Sequence, residues 1–90
     1  MSQELVTSGR KATLADHVAA NLRAELAARR LNANDLAKVL NVGVRAASRR
    51  MSGDIELSLN ELDIVSRWLG VARSQMMTER AQEHSMAVAS

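Results

Sequence analysis

Apolar residues along this chain recur at helical spacing in successive blocks. Leu14, Val18, Leu22 and Leu26 stand every four residues, with Ala15, Ala19 and Ala27 beside them. That pattern predicts an amphipathic helix of about 17 residues, some ~25 Å long. Leu36, Ala37 and Leu40 form a shorter second stripe. Val44, Ala47 and Met51 (i, i+3, i+7) mark the inward side of a third helix, which puts Arg45, Ser48, Arg49 and Ser52 on the opposite side. Leu59, Leu62, Val65 and Leu69 supply a fourth stripe, and a thinner alignment of Met77, Ala81, His84 and Val88 predicts a fifth helix within 72–89.

Polar residues punctuate these stripes where helices start and stop. Thr13 with Asp16 forms a variant capping box, Asn32 can cap the second helix with Asp35 in its first turn, and Ser58 pairs with Glu61 to open the fourth. Arg29 and Arg30 close the first helix with cations where the dipole favours them. Asn41 tolerates the left-handed backbone of a tight turn, Val42 is the apolar plug of that turn, and Gly43 opens the next helix. Gly53 and Gly70 are natural stops. The expected fold is all-α, a compact bundle of four to five helices. A polar, flexible arm occupies 1–13, the helical domain 14–71, and a helix or tail, with a possible role in dimerisation, 72–90.

Composition narrows the chemistry. Ninety residues suit one domain, and a chain this short buries roughly 60–70% of its surface on folding. Trp68 is the single aromatic, an anchor for the core or an interface, so the core must come from Leu, Val, Ala and Met. Cysteine is absent, and His17 and His84 are too far apart in sequence to read as a ligand pair, so no disulfide, metal or cofactor is expected. No apolar run is long enough for a membrane span, and no leader pattern follows Met1, which makes a cytoplasmic location the expectation. No nucleophile, base and oxyanion donors converge, so an enzyme is not expected and no residue is assigned as catalytic. Asp16, Glu25 and Asp35 fit helix ends and solvated surface instead.

The net charge of +2 is mild but unevenly spread. Residues 29–50 carry Arg29, Arg30, Lys38, Arg45, Arg49 and Arg50 against Asp35 alone, a local +5, whereas 54–63 carries Asp54, Glu56, Glu61 and Asp63, a local −4. A positive face of this kind can steer toward phosphates. Within 32–53 two short helical patterns flank a three-residue turn, and the second carries Arg45, Arg49 and Arg50 with no acidic residue. That is the layout of a helix-turn-helix with a basic helix facing outward.

Over 22–71 the chain resembles the lambda-repressor-like, Cro/C1-type helix-turn-helix family. Leu36-Ala37 stands where the family has an apolar residue followed by a small one, Val42 at the apolar turn position, and Ala47 at the apolar middle of the recognition helix. Ser52-Gly53 sits where Asn-Gly is usual, and Leu69-Gly70-Val71 resembles the frequent "L-G-V" near the fourth helix. Two departures stand out: Asn41 replaces the usual turn glycine, and Arg50 occupies a position that is normally apolar and buried. Either the Arg50 stem covers the core while its guanidinium escapes, or the helix is rotated and Met51 takes over the packing.

The resemblance implies a recognition helix, 44–51, lying in the major groove with Val44, Arg45, Ser48 and Arg49 at base-contacting positions. Arginine suits that role because it can bond bidentately to guanine O6 and N7. Ala33, Asn34, Gly43 and Ser52 correspond to phosphate-contacting positions, with Lys38 beside them, and Arg10 and Lys11 resemble the basic arms that some members wrap around DNA. The implied protein is a sequence-specific, double-stranded DNA-binding transcriptional regulator of phage or prophage type, a Cro or short repressor. It would act as a homodimer on an operator. Two alternatives remain open at this point. One is the antitoxin of a toxin–antitoxin pair, gripping its toxin through 72–90. The other is a helix-turn-helix protein-interaction module without DNA binding.

Overall fold

Four of the helices in the computed structural model, which describes residues 12–79, are set by local capping chemistry at one or both ends. Thr13 Oγ1 accepts the Asp16 N–H at 3.1 Å, and Asp16 returns a carboxylate oxygen to the Thr13 N–H at 2.9 Å, opening α1, Leu14–Ala28. Asn32 Oδ1 accepts the amides of Asn34 (2.9 Å) and Asp35 (3.2 Å), and the Asp35 carboxylate accepts the Asn32 N–H at 2.9 Å. This box opens α2, Ala33–Leu40. Ser58 and Glu61 exchange the same pair of bonds at 3.0 Å each and open α4, Leu59–Leu69. Between them α3, Val44–Ser52, starts at Gly43 without a side-chain cap, and α5, Arg73–Met76, is a single turn.

Left-handed residues end the four longer helices: Asn41 at φ 59°, Gly53 at φ 93°, Gly70 at φ 71° and, after α1, Arg30 at φ 58°. Arg30 is the costly one, since a side chain in this region carries about 1–2 kcal/mol of strain. The reversal it allows is well bonded, with the Arg30 N–H donating to Ala27 O (3.1 Å) and the Leu31 N–H to Leu26 O (2.9 Å). Leu31 is thereby turned onto the core. Helix α1 thus stops at Ala28, short of the two arginines that the sequence pattern places in its last turn.

The fold is an all-α bundle, with no strand among the described residues. Leu22, Leu26, Leu36, Ala47, Val65 and Met76 are at most 1% exposed and form the centre of one core. Helix α3 packs on α1 and α2, α4 on α2, and α5 on α1 and α4. Among the described residues no helix is long and apolar enough to cross a membrane.

Two features depart from the hydrophobic pattern. Leu14 and Leu59, counted in the stripes of α1 and α4, are 57% and 83% exposed. Each is the first residue of its helix, on the rim of a groove between the two helix starts. Periodicity fixes the phase of a stripe but not whether anything lies opposite its end.

The second departure is α5, where the pattern predicts a helix through 72–89. Asn21, 4% exposed on α1, donates its side-chain amide to Met76 O (2.6 Å) and Thr78 O (2.8 Å). These bonds tie the end of α5 to α1, and the chain turns at Met77. Met76, fully buried, belongs to the domain's own core and so is not free for the dimerisation considered for 72–90. Ala81, His84 and Val88 lie outside the described residues.

Candidate nucleic-acid interface

The α2–turn–α3 segment is fixed at its bend. Asn41 takes the left-handed conformation, the Val42 N–H donates to Ala37 O at 3.0 Å, and Val42 packs on the core. Ala37 (5% exposed) and Ala47 (0%) are buried in the same cluster, small side chains that let α2 and α3 approach closely. Ala47 is the only fully buried residue of α3.

Opposite Ala47 the helix presents Arg45, Ser48 and Arg49, all exposed and spaced i, i+3, i+4, so they share one face. Val44, which the sequence pattern places both inward and at a base-contacting position, is 47% exposed on the first turn. Among the described residues Arg45 and Arg49 have neither an ion pair nor a side-chain hydrogen bond. Lys38 is exposed on α2 and likewise has no ion pair among them.

Of the other described arginines, Arg30 is also exposed and without a side-chain partner among the described residues, and the rest bond within the fold. Arg29 pairs with Glu25 at 2.6 Å and donates to Leu69 O at 2.9 Å, while Arg67 and Arg73 both reach Asp63. Arg23 donates to Met51 O at 2.6 Å, near the C-terminal end of α3. Of the acidic 54–63 stretch, Glu61 and Asp63 are therefore neutralised by arginines, which leaves Asp54 and Glu56 as its exposed charges.

Met51 packs against the core, as one of the two courses open to Arg50 expects, but Arg50 does not take the other. Its guanidinium does not escape to solvent; Nε and Nη2 donate to the two carboxylate oxygens of Glu61, each at 3.1 Å, and Nη1 donates to Ala46 O at 3.0 Å. The two side chains are 14% and 19% exposed. The hydrogen bonds from Arg50 hold the Glu61 carboxyl below its ordinary 4.5 despite the opposing effect of burial, and the Ser58 N–H adds to the lowering. A carboxyl with a depressed folded-state pKa stabilises fully above 4.5, and this contribution is lost as the pH falls through the folded value. Thermal melts over roughly pH 3–6 are expected to lose stability more steeply for the natural protein than for Glu61→Gln. Parallel profiles would contradict the ion pair.

The remaining predicted phosphate contacts divide. Asn34 is exposed and Ala33 half-buried at the start of α2, and the Asn34 backbone amide donates to Asn32 Oδ1 at 2.9 Å, which leaves the exposed Asn34 side chain for the position the resemblance implies. The Ser52 hydroxyl donates to Arg49 O at 3.0 Å and accepts the Asp54 N–H at 3.3 Å, a bond pair that closes α3. Gly43 is exposed at the uncapped start of α3. Arg10 and Lys11 lie outside the described residues. The bond from Arg23 to Met51 O and the pairing of Glu61 with Arg50 were hidden from sequence reasoning, because the partners are 28 and 11 residues away on other helices.

No family model, curated protein or solved structure matches this chain. The chemistry of the α2–turn–α3 surface therefore carries the functional reading.

Proposed function

We propose that the protein is a sequence-specific, double-stranded DNA-binding regulator of transcription in the cytoplasm. The segment α2–turn–α3 acts as its helix-turn-helix and α3 reads the major groove. The observation that carries this reading is that Arg45 and Arg49, on one exposed helix face, have no partner among the described residues, in a fold that couples Arg29, Arg50, Arg67 and Arg73 to carboxylates. Guanidinium groups on adjacent turns can each take guanine O6 and N7, and Val44 at the helix start suits a thymine methyl. Lys38 and the open amides beside Gly43 suit phosphate, which positions the helix without reading sequence. A Cro-like or short-repressor role follows, with two copies on a two-fold operator and their α3 helices about 34 Å apart.

Duplex affinity is expected to fall linearly with salt on logarithmic axes, with a slope of about −0.9 per neutralised phosphate. Titration of a labelled duplex at several salt concentrations measures it. An affinity that barely changes would contradict the proposal.

A further inference from the structure

Helix α3 is held to the bundle by little apolar surface. Its only fully buried side chain is Ala47, a single methyl, with Met51 partly buried beside it. Such a contact permits close approach but resists rotation about the helix axis weakly, because few side-chain knobs interlock. Polar links supply what the apolar contact lacks. The Arg50–Glu61 fork joins α3 to the first turn of α4 through two bonds of 3.1 Å, and Arg23 joins α1 to the last turn of α3 through Met51 O. A planar guanidinium bound to both oxygens of one carboxylate fixes direction as well as distance. Arg50 is the immediate neighbour of Arg49, so a rotation of α3 that re-aims Arg45 and Arg49 must break the fork.

Resting on the DNA-reading proposal, we infer that Arg50 and Glu61 are positioning residues for recognition: their ion pair sets the rotation of α3 and so the aim of Arg45 and Arg49. The pair also withholds Arg50 from phosphate. Its cost in desolvation yields specificity rather than affinity.

The test compares a duplex carrying the sequence that the natural protein selects with a scrambled duplex of the same composition. Two variants serve: Glu61→Gln, which keeps an acceptor for the Ser58 amide, and the double variant Arg50→Met, Glu61→Gln, which leaves no buried ion without a partner. In both, the ratio of selected to scrambled affinity is expected to fall about tenfold, the loss of roughly one good base contact. In Glu61→Gln the released Arg50 is expected to steepen the salt slope on scrambled DNA by about 0.9, whereas the double variant leaves that slope unchanged. A purely structural pair would lower the melting temperature and leave the ratio intact. An unchanged ratio in either folded variant, or loss of folding in both, overturns the inference while the DNA-reading proposal stands. A natural protein that does not discriminate between the duplexes overturns the proposal and the inference with it.

Discussion

Replacing Arg45 and Arg49 together by alanine is expected to lower affinity for the selected duplex by between about thirtyfold and twenty-thousandfold, since each bidentate guanine contact discriminates by about 1–3 kcal/mol. Affinity for scrambled DNA falls far less. Folding should hardly notice. Both side chains are exposed and without partners among the described residues, and alanine is the better helix former. The only loss to stability is the cation of Arg49 in the last turn, worth about 0.3–1 kcal/mol at that helix end. Binding isotherms beside thermal melts separate the two effects. If the double variant binds the selected duplex as the natural protein does, α3 does not read the groove.

Leu36→Ala is expected to have the largest effect on stability. Leu36 is 0% exposed in α2, within the cluster formed with α1, α3 and α4. Truncating such a leucine removes transfer free energy and leaves a cavity, together about 2–5 kcal/mol. A chain of 90 residues holds only about 5–13 kcal/mol in total, so the variant is expected to lose a large share of it and, towards the lower end, to be partly unfolded near physiological temperature. Leu59→Ala is the matched control. The same deletion at a site 83% exposed should change stability by less than about 0.5 kcal/mol. Denaturant midpoints compare the pair. A Leu59 loss as large as that at Leu36 would mean that the exposed α4 start is covered in solution.

Much of the framework was legible because it is local. Thr13 with Asp16, Asn32 with Asp35 and Ser58 with Glu61 lie three residues apart and make the capping bonds their spacing suggests. Asn41, Gly53 and Gly70 end their helices in the left-handed region. Leu22, Leu36, Ala47 and Val65 are buried as their periodicity requires. What stayed hidden depends on packing between distant segments. Asn21 looks like any polar residue in a helix until it meets the carbonyls of Met76 and Thr78, where α5 ends after one turn. Arg50 looks like a third outward cation until α4 brings Glu61 beside it. Arg30 adopts positive φ although nothing in its side chain favours it, because Leu31 must turn onto the core. At the candidate interface, sequence gave the identity and facing of Arg45, Ser48 and Arg49. That Arg45 and Arg49 lack partners among the described residues depends on where the carboxylates of the bundle go, which no local pattern specifies.

The central claim, that α3 reads base sequence, is tested most directly by selecting bound duplexes from a random library at two salt concentrations. Recovery of a recurrent, guanine-containing motif with two-fold symmetry, retained at the higher salt, is the predicted result. Retention without a motif, vanishing as salt rises, would contradict the account and leave only electrostatic attraction between a basic surface and phosphate.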